Sequence, residues 1–392
     1  MKVVIRWISL VFAGGLLASC SPSGPAELRA ENSSSPSPGA AAIQVRVDPR
    51  VELMSVVFRL AGSPEYNRGA VPAYTQAVDA HFAPFRRHAA VRRAGRLRRF
   101  RGISFNAPMS LAVHLTDPPA LDAGVTLDPL PDRIDSRWSS RSARGLVKDL
   151  QAFARESEFE SFLSDHQELY ALTADRLHEA IQDARILEWF QGFFGPRTEE
   201  EFIVVAGLLN GGLCYGASAR RPGVPDAAEE VYSVLGVWMV DESGLPRFGP
   251  EVATTIVHEF AHSYVNPLVD AHARALQPAG QELFGMVRNL MRKQAYASWR
   301  TMLYESLVRA CEVRYTRAVF GSEAAAREVA EHQSRGFLWT GRLAAFLEEY
   351  ESDRGAYPTL DAFLPRVVDF FNEYVQSGQA AVDLADLGRE VR

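Results

Sequence analysis

Two histidines four residues apart, with a glutamate directly after the first, constrain this 392-residue chain more than any other feature. The run is His258-Glu259-Phe260-Ala261-His262, inside residues 254–267. Residues four apart on a helix stack on one face, so both imidazoles can address a single ion if the stretch is helical. Zinc takes neutral imidazole or carboxylate ligands at roughly 2.0–2.2 Å. Glu259 lies about 100° round such a helix, where it can reach water at the ion without ligating it, the position of a general base. The surroundings predict that helix. Pro250 and Glu251 open it, with proline early and an acid at the positive end of the dipole. Asn266-Pro267 closes it. Ile256, Val257, Phe260 and Ala261 are uncharged, so the helix can be buried.

A zinc site of this kind needs a third protein ligand. In one arrangement a histidine follows on as H-E-x-x-H-x-x-G-x-x-H, but Val265 and Leu268 occupy the last two specified places. The other solution is a glutamate on a later helix. Residues 298–321 offer Glu305 and Glu312, seven apart and therefore on one face, so periodicity leaves both open. Leu307, Val308 and Ala310 suit Glu305 to a helix packed against the motif helix. Glu312 has Arg314 and Arg317 beside it and suits an ion pair. Glu305 is the preferred metal ligand, with His258 and His262. Arg309, four residues on, is read either as a group for a substrate carboxylate or oxyanion, or as one half of a helix-surface ion pair. Tyr304, Tyr315 and His332 are further oxyanion candidates. The remaining histidines, at 81, 88, 114, 166, 178 and 272, have unrelated spacings.

The rest of the chain sets the frame. With 47% apolar residues it can bury a sizeable core, and a formal charge of -6 gives no general attraction to nucleic acid. Ile43, Val45 and Val47 alternate as a strand ended by Pro49. "VELMSVVFRLAG" (51–62) is helix or buried strand. Tyr74, Val78, Phe82 and Phe85 recur at helical spacing. Eight arginines fall between Arg86 and Arg101. They suit an anion or membrane-surface patch, or more simply a solvated helix face. Residues 143–194 read as helical up to Gly195-Pro196, 201–209 and 231–240 as strands, and almost everything after 270 as helix. "NGGLCYG" (210–216) lacks the Lys-Ser/Thr of a phosphate loop and reads as a tight turn beside the site. The strand before the motif helix is a candidate to pair with an extended peptide. Together these predict a helix-dominated α+β domain over 43–392, with sheet and motif helix in 43–268 and a helical part in 269–392.

The N-terminus is read as a targeting segment. Lys2 and Arg6 precede an apolar run from Trp7 to Leu17, followed by Leu17-Ala18-Ser19-Cys20, which looks like the lipobox of bacterial lipoproteins. Residues 21–42, rich in Ser, Pro, Gly and Ala, read as a flexible tether from the lipidated Cys20. Ser21 is not aspartate, which favours outer-membrane anchoring in a host with two membranes. Cys214 and Cys311 either pair in an oxidising envelope or stay as buried thiols.

The chain resembles a bacterial family of exported proteins classed as a domain of unknown function, whose members carry H-E-[FL]-[SA]-H-S-[FY]-x-N-P. Here that is His258 to Pro267, and the resemblance extends to "VELMSVVFRLAGSPEYN", "NGGLCYG" and "ESLVRA" (305–310). Such proteins look like gluzincin-type zinc metallopeptidases. The resemblance implies a zincin-like fold, zinc as cofactor and a peptide or protein substrate. The alternative is a zinc-containing binding or scaffolding lipoprotein without catalysis. Many gluzincins carry an acid four residues after the ligand glutamate to hold a zinc histidine. Arg309 stands there instead, so another group must orient the imidazoles. For the anchor, Cys20→Ala should move the protein from the membrane to the soluble envelope fraction on cell fractionation. Unchanged membrane retention would remove the lipobox reading.

Overall fold

The computed structural model describes residues 42–123, 127–195, 200–220 and 228–390. Cys20 and all but the last residue of the expected tether lie outside them. The alternation at 43–47 gives a short strand, β1 (Gln44–Arg46). Pro49 ends it and also starts a helix, α1 (Pro49–Leu60), because Asp48 accepts a hydrogen bond from the Arg50 N–H at 3.0 Å and a proline in the first turn lacks only a donor that would be unpaired. Residues Arg50 to Phe58 of α1 are all buried. A helix covered on every side has no amphipathic period, which is why its sequence reads equally as strand.

Helices α2 (Pro72–Phe82), α3 (Ala89–Arg101), α4 (Asn106–Ala112), α5 (Ser140–Glu156), α6 (Phe159–Asp165), α7 (Gln167–Ile181) and α8 (Ile186–Phe194) follow. Then come β2 (Glu200–Gly207), β3 (Tyr215–Arg220) and β4 (Glu229–Gly236). The motif helix is α9 (Glu251–Ala271). After it lie α10 (Ala273–Lys293), α11 (Trp299–Phe320), α12 (Ser322–Ser334), α13 (Thr340–Ser352), α14 (Leu360–Gln376) and α15 (Gln379–Glu390). The fold is α+β and dominated by helices. Among the described residues no helix is long and apolar enough to cross a membrane.

The four strands form one sheet in the order β1-β2-β4-β3. β1, β2 and β4 are parallel, and β3 runs antiparallel along the outer side of β4. β2 and β4 are buried over almost their whole length, as expected of parallel strands covered by helices. Two expectations change here. β4, the strand before the motif helix, has a neighbour on each side, so it has no free edge for a peptide; on that side of the sheet the end strand is β3. "NGGLCYG" turns only through Gly212 and then enters β3. The run Gly216-Ala217-Ser218-Ala219 is small throughout and carries no alternation to announce a strand. α9 packs along β3 and β4, α11 packs along α9, and α10, α12 and α13 surround α11.

Buried polar groups tie α1 to the sheet. Arg50 bonds Asp48, the Val113 and Leu115 carbonyls and the Tyr232 hydroxyl on β4. Glu52, fully buried, accepts from the Tyr74 hydroxyl at 2.7 Å and the Leu208 N–H at 3.0 Å. Burial pushes its pKa up to about 7 against those two bonds. A carboxyl whose folded pKa is raised stabilises the fold fully below its unfolded pKa and loses that contribution as pH rises through the folded value. Urea unfolding should therefore show wild type losing on the order of 2–3 kcal/mol relative to Glu52→Gln between pH 4.5 and 7.5. A difference that does not change with pH would refute the assignment.

Candidate metal centre

α9 turns an apolar face, including Val252, Ile256, Phe260 and Val265, to the core. That fixes its rotation and brings His258 and His262 toward α11, with ring centroids 4.9 Å apart. The helix runs through Pro267 to Ala271, past the expected stop, since one missing N–H does not outweigh packing on both sides. On its other flank the backbone of α9 meets β3. A Cβ on Gly216 would fall 2.4 Å from the Glu259 carbonyl oxygen, so only glycine lets strand and helix approach this closely.

α11 supplies the rest. It starts at Ser298, whose hydroxyl accepts from the Thr301 N–H, and it is buried almost all round from Met302 to Thr316. Glu305 sits against both imidazoles, its two oxygens each 3.5 Å from one Nε2, of His258 and of His262. The ligand atoms of His258, His262 and Glu305 all lie within 4.8 Å of one another. Glu312, two turns on, touches neither Nε2. Its Oε2 accepts from His258 Nδ1 at 2.8 Å. His262 Nδ1 donates to Asn266 Oδ1 at 3.1 Å. With both Nδ1 atoms carrying a proton, both Nε2 atoms point at the Glu305 carboxylate, an arrangement that a cation or a further proton between them satisfies.

The electrostatics point the same way. Glu259, Glu305 and Glu312 are each 8% exposed, and one guanidinium, Arg309 at 5%, accompanies them. Three carboxylates and one guanidinium leave two uncompensated negative charges when the imidazoles are neutral. Burial opposes protonation of His258, yet Glu312 and Glu305 push its pKa up to about 10. The pocket thus recruits positive charge even at the cost of burying it. Burial pushes Glu259 up to about 7, with Glu305 and Glu312 adding to it and His258 opposing. Burial would raise Glu305 too, but His258, Arg309 and His262 hold it well below the usual carboxylate range. Two imidazoles and a carboxylate, with further buried negative charge beside them, fit a divalent cation.

Arg309 does not face open space. It donates to Glu305 at 2.9 Å, to the Tyr296 hydroxyl at 3.3 Å and to His332 Nδ1 at 3.1 Å, and lies over the Phe337 ring at 4.7 Å. It is paired with Glu305, but in the interior and not on the helix surface as the alternative reading had it. Tyr315 is likewise removed from the site, its buried hydroxyl donating to the Ala184 carbonyl at 2.7 Å. Tyr304 bonds Asp270, and His332 is buried behind Glu312. Glu312, Glu328 and His332 form a second group whose ligand atoms lie within 4.8 Å of one another and which could also hold an ion. Because a guanidinium can only donate, His332 Nδ1 accepts, and Nε2 carries its proton toward Glu312 at 3.4 Å. That tautomer lacks the lone pair an ion would need there. His81, His114 and His166 bond backbone carbonyls elsewhere. Cys214 and Cys311 are free thiols.

Three residues at the site escape the sequence reading: Asn266 orients His262, Gly216 admits the close strand, and Tyr296 abuts Arg309 and Glu305. Only Asn266 carries a usable signal, four residues after His262 on the same face. Glu312, weighed in the sequence as an alternative ligand, instead orients His258.

The family model described as Domain of unknown function (DUF4932) matches residues 43–370. The chain belongs to this family. No curated protein and no solved structure matches it. In this DUF4932 chain the match begins at β1 and ends within α14, so it contains every element that builds the site.

The orienting role of Glu312 is testable by metal titration. Glu312→Gln should weaken divalent-metal affinity by about 10- to 100-fold, the usual effect of removing a carboxylate behind a ligating histidine. Tyr315→Phe should leave it unchanged. Equal affinity for both variants would remove Glu312 from the site.

Proposed function

We propose that this DUF4932 chain is a zinc-dependent peptidase of the cell envelope, anchored through a lipid on Cys20. One observation carries the reading: two imidazole Nε2 atoms and a carboxylate converge, and the carboxyl of Glu259 stands beside them, buried and raised to about 7. His258, His262 and Glu305 would hold the ion. Two nitrogens and one oxygen are a donor set that zinc favours, and three protein ligands are the usual complement where a coordination position stays open. When bound, zinc supplies Lewis acidity, acidifying water and polarising a carbonyl.

The side chains then divide the work. Glu259 accepts a proton from water as the water oxygen attacks the amide carbon, and gives that proton to the nitrogen as the C–N bond breaks. Glu312 and Asn266 keep the imidazoles in one tautomer and one orientation. Arg309 keeps Glu305 ionised from behind. The terminal strand β3, which reaches Glu259 through Gly216, is the edge along which an extended peptide would lie.

Elemental analysis should find one zinc per chain, lost in the His258→Ala/His262→Ala double variant. On a peptide library, chelator should abolish hydrolysis. Glu259→Gln should keep zinc and reduce turnover by roughly 100- to 10,000-fold, the range for a positioned general base. Wild-type turnover in Glu259→Gln would sink the mechanism. Bound zinc with no hydrolysis of any peptide would favour the non-catalytic binding protein.

A further inference from the structure

The arginine-rich segment plays no part in the site, and the fold sorts its charges. α3 buries Ala90, Val91, Ala94 and Leu97 against the core. At about 100° per residue, Arg93 and Arg98 fall on the flanks of that face. Each is paired there, Arg93 with Asp149 at 2.6 Å and Arg98 with Glu65 at 3.2 Å. Arg92, Arg96 and Arg99 fall on the outward side, directly opposite the buried stripe, and all three are exposed. Arg86 and Arg87 extend the line before the helix and Arg101 ends it, also exposed. None of these six makes an ion pair among the described residues. The formal charge of the chain is -6, so outside these six arginines it carries -12. The positive charge is therefore a local concentration and not a general property of the surface.

Two exposed aromatic residues follow in the chain, Phe100 in the last turn of α3 and Phe105 just past its end. Phe100 is 69% exposed, the most exposed large hydrophobic side chain among the described residues, and the Arg99 guanidinium lies 5.2 Å from its ring centroid. Phe105 is 39% exposed on a backbone at φ 56°, a conformation phenylalanine rarely adopts, and the Tyr66 hydroxyl holds its carbonyl at 2.8 Å. A solvated helix face explains the arginines, but not the exposed Phe100 ring held out beside them.

We propose that the outward face of α3 is a docking surface for a bilayer bearing anionic phospholipid, with the arginines at the phosphates and Phe100 and Phe105 entering the interface. A cluster of four to eight basic residues beside exposed aromatics is the composition that such surfaces attract. Charge complementarity carries the assignment, since the acidic remainder of the chain is repelled by the same surface and turns α3 toward it. A lipid on Cys20 would add to the effect, since the 22 residues from 21 to 42 can reach at most about 75 Å. The docking itself does not depend on that lipid.

Vesicle flotation tests it with the unlipidated chain from Ser21 onward, which contains every described residue. The chain should bind phosphatidylcholine vesicles carrying about 30% phosphatidylglycerol, fail to bind phosphatidylcholine alone, and dissociate as salt is raised. Arg92→Gln/Arg96→Gln/Arg99→Gln should weaken binding on the order of 100-fold, at about fivefold per arginine. Arg92→Lys/Arg96→Lys/Arg99→Lys should keep most of it. A control removing equal charge elsewhere, Arg327→Gln/Arg335→Gln/Arg366→Gln, should bind as wild type. Phe100→Ala should cost several-fold without changing the salt dependence. Thermal melts check folding, and Arg96→Gln alone, expected at about fivefold, serves should the triple variant unfold. The proposal is overturned if glutamine and control triples bind alike, if neutral vesicles bind equally well, or if a single-stranded oligonucleotide of matched charge binds more tightly than the vesicles.

Discussion

Three buried carboxylates around two imidazoles, with a single guanidinium to balance them, are the constraint on which the rest of this structure turns. Like charges this close, away from water, are tolerated only if a cation or protons join them. The chain supplies part of the answer itself: Arg309 stands behind Glu305, and burial with the neighbouring Glu312 pushes the Glu328 carboxyl up to about 9, so that it stays protonated. A proton on His258, whose pKa is pushed up to about 10, or a bound cation offsets what is left. The elements around the site act to hold that imbalance in one geometry.

That geometry comes from packing rather than from any loop. α9 is pinned between the sheet and α11, and both helices are buried over most of their length. Sites on such elements are held more tightly than sites on loops, because neighbouring side chains lock the rotamers. The supporting bonds run in a chain: His332 faces Glu312, Glu312 accepts from His258, and Arg309 bonds both His332 and Glu305. The sheet contributes its antiparallel end strand, brought against α9 at Gly216, and leaves the parallel strands to form the core.

The opposite economy appears at α3. There the charged residues that pack beside neighbours are paired and those that face outward are not. A surface that gained only solubility from its charge would have no reason to place the exposed Phe100 at its end. The candidate metal site and the arginine face sit on different elements and answer to different physics, low dielectric in one and long-range attraction in the other.

The sequence alone determined the motif helix, its two histidines and the adjacent Glu259, because a four-residue spacing on a helix fixes a common face whatever surrounds it. The same logic made Glu305 and Glu312 equivalent, since seven residues return to nearly the same direction, and only the position of α9 along α11 separated a residue between the two Nε2 atoms from one behind Nδ1. Alternation revealed β1, and apolar runs revealed β2 and β4, to within a few residues; β3, whose small side chains leave no pattern, stayed hidden. Sequence also could not say that Arg309 points inward, that Tyr315 lies with Ala184 away from the site, or that β4 is covered on both sides. Those are facts about what lies next to what across long stretches of chain. They follow from how helices and strands pack, and no spacing along the chain encodes them.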